Sequence, residues 1–146
     1  MDIERIGADL QDTLVELTDL ALQAKQLHWN VTGRHFLSLH EQLDRLTAET
    51  RAAADAVAER AVAIGYAPDG RAATVAKESP LAEVPEGGLT DSTVIELVMT
   101  ALTTVTERLR PRVERLGELD PVTQDVLIGV LAGLEKQRWM FSAQQS

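Results

Sequence analysis

The sequence predicts an all-α protein in which four long helices form two antiparallel hairpins joined by one long crossover. Apolar residues make up 45% of the 146-residue chain and aromatic residues only 3%, while alanine and leucine are abundant. Such a composition favours helix over sheet. Apolar residues recur at helical spacing in four long segments, which indicates amphipathic helices. The first and last connections are short, and a short connection joins antiparallel neighbours.

The first two helices are predicted to form the N-terminal hairpin. The first runs from about Ile3 to Val31 and is interrupted by Thr32 and Gly33. The second runs from about His35 to Ile64 and stops at Gly65, a typical C-terminal signal. The apolar stripe of the first helix comprises Ile6, Leu10, Leu14, Leu17, Ala21 and Ala24, and that of the second comprises Phe36, Leu39, Leu43, Leu46, Val57, Ala61 and Ile64.

The last two helices are predicted to form the C-terminal hairpin. The third begins after Thr90 or Asp91, either of which is a good N-cap, and Pro111 within it predicts a kink or a local break. The fourth opens at Asp120 and Pro121, an N-cap followed by proline at the first helical position. The apolar stripes comprise Val94, Val98, Ala101, Val105 and Leu109 in the third helix and Leu127, Val130, Leu131, Leu134 and Phe141 in the fourth.

A long crossover separates the two hairpins. It runs from Gly65 to Thr90, contains three prolines and a Gly-Gly pair, and includes a predicted short helix from Ala72 to Glu78. Two hairpins joined by a single long crossover have the layout of ferritin-like bundles. We therefore expect residues 1–146 to form one ferritin-like domain, without an appreciable tail at either end.

Composition also limits the possible functions. The chain has no cysteine, which excludes thiolate metal sites, thiol catalysis and disulfides. The N-terminal residues lack the features of a signal peptide, and no apolar run approaches membrane-spanning length, so we expect a cytoplasmic protein. The net charge of −9 argues against a general polyanion binder. The arginine run at residues 108–115 is interrupted by glutamate, which indicates a solvated helix face, with a nucleic-acid patch as the second interpretation.

Four side chains of the second helix form two half-sites of metal-ligating type. His40 and Asp44 are four residues apart, as are Asp55 and Glu59, and side chains at this spacing are neighbours on a helix surface. Asp44 and Asp55 are roughly 16 Å apart along the helix axis, too far to share one ion. By a count of 100° per residue, all four lie roughly 140° from the apolar stripe.

A second copy of the helix could complete each half-site. If two copies cross antiparallel near Glu49–Thr50, the histidine-containing half-site of one faces the acidic half-site of the other, and a two-fold axis produces two identical sites. Imidazole and carboxylate without sulfur suit iron, manganese or zinc. The chain has no Glu-x-x-His motif, which disfavours a di-iron site inside one bundle. Exposed acidic pairs on a solvated helix face are the alternative. His28 lies on the apolar stripe of the first helix. Two roles fit this position, that of a buried core histidine and that of a metal ligand.

Residues 25–65 strongly resemble the signature of the Dps family, the miniferritins of DNA protection during starvation. That signature is KxxHWNVxGxxFxxLHxxxD followed, after ten residues, by DxxxE. Every specified position is matched here, from Lys25 to Glu59. The segment EKQRWMF, from Glu135 to Phe141, resembles the end of the family's last helix, so the resemblance covers nearly the whole chain.

The resemblance implies a homododecamer, a hollow shell with ferroxidase centres at its two-fold interfaces. The substrates would be Fe(II) and an oxidant, preferably hydrogen peroxide and otherwise dioxygen, and ferric mineral would collect in the cavity. Removing Fe(II) together with peroxide would limit oxidative stress. The resemblance assigns His28, His40 and Asp44 of one subunit and Asp55 and Glu59 of its neighbour to a two-iron centre, and it places Trp29 beside that centre to quench radicals.

The family also suggests a pore through which iron enters. Asp120 and Asp125, in the pattern DPxTxD, resemble the carboxylates that line its three-fold pore, where rings of negative charge attract cations. Helix capping by Asp120 and a dipole interaction of Asp125 explain the same residues, and both interpretations can hold together. Gly129 stands where some members have a third aspartate, so a third carboxylate ring is not expected.

DNA binding by this family usually depends on a mobile basic tail. Here Arg5 is the only basic side chain near the N-terminus, and the C-terminus ends in QQS, so we expect DNA binding to be weak or absent. Three alternatives remain open. They are a DNA-binding, nucleoid-compacting protein with secondary ferroxidase activity, a helical assembly with degenerate metal sites, and a family member adapted to other metal-dependent chemistry such as hydrolysis.

Overall fold

The computed structural model describes residues 1–145. In chain order its elements are α1 (Ile3–Asn30), β1 (Val31–Thr32), α2 (Phe36–Ala63), α3 (Ala72–Glu78), β2 (Leu89–Thr90), α4 (Asp91–Leu119) and α5 (Pro121–Ser142). The α1 helix packs mainly along α2, and α4 packs mainly along α5. The two predicted hairpins and the predicted short helix in the crossover are therefore confirmed.

The predicted apolar stripes form the core. Every stripe residue predicted in α1, α4 and α5 is buried, as are those of α2 from Leu39 onward. The prediction for Phe36 is wrong, because this side chain is 39% exposed. Phe36 is the first residue of α2 and lies beyond the core, where its ring stacks on His40 with 4.9 Å between ring centroids.

Helix ends follow the capping signals in the sequence. The side chain of Thr90 accepts a hydrogen bond from the backbone of Thr93 at the start of α4, and that of Asp120 accepts one from the backbone of Val122 at the start of α5. Gly65, which follows α2, has a φ of +91°, a left-handed conformation that glycine adopts at little cost. These predicted boundaries are confirmed.

The predicted local break at Pro111 is wrong, whereas the predicted kink stays a prediction. The α4 helix continues through this residue to Leu119, although proline removes one intrahelical hydrogen bond. Leu109 and Arg112 on either side are buried, and their packing against the neighbouring helices keeps the helix continuous.

Two short strands connect the hairpins at one end of the bundle. They pair in parallel, with Val31 opposite Leu89 and Thr32 opposite Thr90. The sequence did not predict them, because strands of two residues carry no alternation of apolar and polar side chains. Their pairing holds the α1–α2 turn against the start of α4 and so positions the beginning of α2.

The crossover is attached to α1 through amide side chains. Gln11 donates from Nε2 to the carbonyl oxygen of Asp69 at 2.8 Å, and its Oε1 accepts from the backbone nitrogen of Asp69 at 2.8 Å. Gln23 donates from Nε2 to the carbonyl oxygen of Ala82 at 2.9 Å. The face of α2 that carries the predicted acidic ligands is left exposed.

Candidate metal centre

The two predicted histidine ligands meet where α1 packs on α2. Their rings stack with 3.7 Å between centroids and 12° between planes. Nδ1 of His28 lies 2.5 Å from the carbonyl oxygen of His40, and Nδ1 of His40 lies 2.8 Å from the carbonyl oxygen of His28. Because a carbonyl oxygen can only accept, each Nδ1 carries a proton and donates it. In the neutral ring each Nε2 then keeps its lone pair, which is the form that binds a metal ion.

The contacts of His28 fit both interpretations that the sequence left open. The residue is 8% exposed, and its Nδ1 is hydrogen-bonded as expected for a buried histidine. The same hydrogen bond fixes the tautomer and orientation of the ring, as second-shell hydrogen bonds do for metal-ligating histidines. A structural role and a ligand role are therefore compatible at this residue.

Asp44 extends the histidine half-site and is paired with a lysine. Its Oδ1 accepts a hydrogen bond from Nζ of Lys25 at 2.5 Å. This hydrogen bond lowers the pKa of Asp44 below its usual value, so the carboxylate stays charged at neutral pH. This pairing was not predicted, although Lys25 precedes His28 by three residues and therefore lies on the same face of α1.

Asp55 and Glu59 form the acidic half-site, one turn apart on the exposed face of α2. A hydrogen bond to Asp55, together with the negative charge of Asp55, raises the pKa of Glu59. A proton held between two carboxylates relieves their repulsion. A bound cation relieves it in the same way, so this pair is suited to a metal ion.

A single subunit does not unite the two half-sites. Within residues 1–145, no group of three or more His, Asp or Glu side chains is arranged to hold a metal ion. The structure brings His28 to His40 and Asp44, and it brings Asp55 to Glu59, but the two groups stay separate along α2. Completion of the centre by a second subunit stays a prediction.

Trp29 has no place in the core of the subunit. Its side chain is 64% exposed, and it lines a groove between α1 and the crossover together with Lys25 and Arg51. An exposed indole next to a candidate centre suits a contact with another subunit or a redox role. The radical-quenching role of Trp29 stays a prediction.

The two aspartates at the start of α5 have different surroundings. Asp120 is 5% exposed, and its Oδ2 accepts from Nη2 of Arg60 at 2.7 Å and from Oγ1 of Thr123 at 2.6 Å. The hydrogen bond from Thr123 and the contact with Arg60 lower the pKa of Asp120. Asp125 is exposed. The capping role of Asp120 is confirmed, and the pore role of both residues stays a prediction.

Comparison with known proteins first gives the class of this chain. The family model described as the ferritin-like domain matches residues 7–146, which makes the chain a ferritin-like protein and confirms the predicted fold. Dps92 from Deinococcus radiodurans superposes with a TM-score of 0.95 at 39% identity, covering 97% of this chain and 86% of that one. Dps from Microbacterium arborescens in the high iron form has a TM-score of 0.92 at 32% identity, with 97% and 93% covered.

Relatives of known sequence then give the family. DNA protection during starvation protein 2 of Deinococcus radiodurans is 39% identical over 142 residues, which is 97% of this chain and 59% of that protein. DNA protection during starvation protein of Mycolicibacterium smegmatis is 34% identical over 134 residues, which is 92% of this chain and 73% of that protein. The chain belongs to the Dps family. Proteins of this family bind and store iron and protect DNA. No helix in the part of the chain that the structure describes is long and apolar enough to cross a membrane.

Proposed function

We propose that the protein is a ferroxidase that stores iron, and that its substrates are Fe(II) and hydrogen peroxide, with dioxygen as the slower oxidant. Oxidation takes place at two-iron centres shared between subunits, and ferric mineral is stored inside a hollow homododecamer. One observation carries this proposal. His28 of α1 stacks on His40 of α2 with both Nδ1 atoms hydrogen-bonded and both Nε2 atoms free, and α2 also carries Asp44 and a separate pair of carboxylates.

The donor set suits Fe(II). Imidazole nitrogen and carboxylate oxygen, without sulfur, are ligands that iron accepts readily. Before iron binds, Lys25 pairs with Asp44, and a hydrogen bond to Asp55, together with the negative charge of Asp55, raises the pKa of Glu59. Fe(II) would replace the ammonium group at Asp44 and relieve the repulsion between the two carboxylates.

A two-fold axis supplies the missing half of each centre. When two α2 helices cross antiparallel near Glu49–Thr50, the histidine half-site of one subunit faces the acidic half-site of the other. The exposure of Asp44, Asp55 and Glu59 in a single subunit supports this arrangement, because charged side chains on an exposed face remain available to a partner. Each dimer then contains two equivalent centres.

Hydrogen peroxide matches a centre for two iron ions. One peroxide molecule accepts one electron from each of two Fe(II) ions and two protons, and it leaves as two water molecules. No hydroxyl radical is released when both electrons are delivered together. Trp29 is exposed next to His28. Its role is to donate an electron to the hydroxyl radical that forms when a peroxide molecule receives only one electron.

Iron is proposed to enter near the start of α5. Asp125 is the exposed carboxylate there, and a ring of such side chains around a three-fold axis would attract Fe(II) and repel anions. Asp120 is held inward by Arg60 and Thr123. Its contribution to this pore is to fix the first turn of α5, and with it the position of Asp125.

The DNA-binding alternative is disfavoured by the contacts of the only arginine run. Arg108 and Arg112 pair with Glu16, Arg110 pairs with Glu135, and Arg115 pairs with Asp9. An arginine already neutralised by a carboxylate contributes little to the phosphate contacts on which DNA affinity depends. We therefore propose that iron storage is the main activity and that DNA binding is weak.

The proposal is tested by loading the protein with Fe(II) under limiting peroxide and then separating the products by size. Iron and protein should elute together in a particle of about twelve subunits, and peroxide should be consumed at one molecule per two Fe(II). A large particle without iron would contradict ferroxidase activity. Precipitated iron beside a monomeric or dimeric protein would contradict storage.

A further inference from the structure

Arg51 lies on the ligand face of α2. It follows Asp44 by seven residues and precedes Asp55 by four, and at about 100° per residue its side chain starts within the arc that the predicted ligands occupy. Arg51 is exposed. A cation therefore occupies the middle of a helix face whose other functional side chains bind cations.

The guanidinium group of Arg51 has no acidic partner among the residues that the structure describes. Within residues 1–145, Arg60, Arg71, Arg108, Arg110, Arg112 and Arg115 pair with carboxylates, whereas no carboxylate lies within 4.0 Å of the Arg51 side chain. Arg45, also exposed on α2, is unpaired in the same way. By helical count, however, Arg45 lies roughly 90° from the centre of the ligand arc.

Arg51 lines a groove of about 620 Å³ that lies between α1, α2 and the crossover. Lys25, Trp29 and Arg51 line it on the side of α1 and α2, and Arg45 does not contribute to it. One of these cations, Lys25, also pairs with the candidate ligand Asp44, which does not line the groove. Only Oδ1 of Asp44 is hydrogen-bonded, and its Oδ2 has no partner among the described residues.

We propose that Arg51 is a second counter-ion of the iron-free centre. In the assembled dimer its guanidinium pairs with Oδ2 of Asp44 of the partner subunit, and Fe(II) displaces it. This inference rests on the proposed function, because it requires the shared centre. It adds a residue that regulates Fe(II) affinity without being a ligand.

The antiparallel crossing brings the two groups within reach. A two-fold axis near Glu49–Thr50 places Asp44 of the partner subunit beside Asp55. Asp55 is four residues from Arg51, which is roughly 6 Å along the helix axis. An extended arginine side chain spans this distance. Lys25 and Arg51 then contact different oxygens of the same carboxylate, one from each subunit.

The functional consequence is a lower affinity for Fe(II). A bound divalent ion must replace two cations and is repelled by each one that stays nearby. Removing the positive charge of Arg51 should therefore strengthen binding, whereas removing a ligand weakens it. This opposite sign distinguishes a counter-ion from a ligand.

The test is an anaerobic Fe(II) titration of the assembled protein, followed by calorimetry. Arg51→Gln should bind Fe(II) about three- to tenfold more tightly than the wild type, since one unit charge near a divalent ion has an effect of this size in a water-like dielectric. The difference should shrink as salt concentration rises. Arg51→Lys, which keeps the charge, should restore the affinity of the wild type, and Arg45→Gln is the matched control that should not change it.

Each outcome has a separate meaning. Equal affinities for Arg51→Gln, Arg45→Gln and the wild type would overturn the role of Arg51 and leave the ferroxidase proposal intact. Weaker binding by Arg51→Gln, or loss of the dimer without a change in affinity, would assign Arg51 to the interface alone. A wild-type protein that binds no Fe(II) would overturn the proposed function and this inference with it.

Discussion

Asp55 and Glu59 form a pair of carboxylates on one helix that favours the binding of a cation. One turn of α2 places the two carboxylates together, and the hydrogen bond from one to the other raises the pKa of Glu59. Neither side chain has a cationic partner among the described residues. The two carboxylates of the acidic half-site therefore repel each other until a proton or a metal ion is bound.

Glu59→Ala should slow peroxide-driven oxidation of Fe(II) without dispersing the shell. Loss of a second-shell partner of a metal typically costs about 10- to 100-fold in affinity or activity, and loss of a direct ligand should cost at least as much. The rate is followed by stopped-flow absorbance of Fe(III), and assembly is followed by size exclusion. Glu118→Ala, which removes an exposed glutamate of α4, is the control and should behave as the wild type. Unchanged kinetics in Glu59→Ala would remove Glu59 from the centre.

At the level of elements, α1 and α4 are joined by a buried ion pair. Glu16 is 1% exposed and Arg112 is 4% exposed. Nη2 of Arg112 donates to Oε2 of Glu16 at 2.6 Å, and Nη1 of Arg112 donates to Oε1 at 3.1 Å. Arg108, which is partly exposed, also donates to Oε2 of Glu16 at 3.1 Å. Glu16 is the only carboxylate paired with the buried guanidinium of Arg112 among the described residues, so the charge of Arg112 depends on Glu16 for its compensation.

Glu16→Ala should lower the free energy of unfolding by about 3–5 kcal/mol, because it leaves the Arg112 guanidinium buried without a counter-charge. Chemical denaturation of a dissociated subunit or of the assembled shell measures the change. The double variant Glu16→Leu with Arg112→Met should recover much of the loss, since neither charge then remains. Glu135→Ala removes an exposed pair with Arg110 and should cost at most about 1 kcal/mol. Equal losses in the two single variants would contradict the burial argument.

Asp91 connects the starts of α2 and α4. Its Oδ2 accepts from the backbone nitrogen of His35 at 3.1 Å, and its Oδ1 accepts from that of Ser92 at 2.8 Å. Gly33, with a φ of +114°, permits this approach, since a Cβ there would lie 2.9 Å from Oδ2 of Asp91. These hydrogen bonds to the charged form, that from His35 above all, lower the pKa of Asp91.

The stabilisation from Asp91 should be lost in acid. Because its folded-state pKa lies below the ordinary aspartate value, the contribution is complete above that ordinary value and disappears as the pH falls through the folded-state pKa. Asp91→Asn should therefore lower the Tm at neutral pH, and the difference from the wild type should narrow below about pH 4. Thermal unfolding at several pH values measures this. A constant difference across the range would show that the charge of Asp91 is irrelevant.

The sequence predicted the elements better than their contacts. Helical periodicity and caps located all four long helices, because burial and hydrogen bonding of a helix depend on residues close in sequence. The stacking of His28 on His40 and the pairing of Lys25 with Asp44 depend on the register between α1 and α2. No local pattern encodes that register. Phe36 shows the same limit, since its periodicity fits the core but its place at the helix end exposes it.

At the scale of the whole molecule, the candidate site was predicted as two separated half-sites, and the subunit keeps them separate. Spacing along one helix was sufficient for this, because the rise per residue is fixed. Symmetry between subunits does not follow from one chain. The network around Asp120 and Arg60 was missed for a related reason, since it joins α2 to α5 across the bundle.

DNA binding by the assembled protein should be weak and restricted to low salt. The net charge is −9, and the arginines of residues 108–115 are paired with carboxylates. A gel shift with linear duplex DNA should show a complex at about 20 mM salt at most, and none at about 150 mM. Retention of the complex at the higher concentration would favour the nucleoid-compacting alternative.

If each centre is shared between two subunits, two variants that are inactive alone should regain activity when they are assembled together. Let one variant carry His40→Ala and Asp44→Ala, and let another carry Asp55→Ala and Glu59→Ala, so that each alone should be inactive. In a mixed dimer, one centre receives both intact halves and the other receives both damaged halves. Random co-assembly of equal amounts, in which about half of the dimers are mixed, should then restore roughly one quarter of the wild-type centres. Fe(II) oxidation by the co-assembled shells measures this recovery. Activity that stays at the level of the separate variants would mean that each centre is built within one subunit.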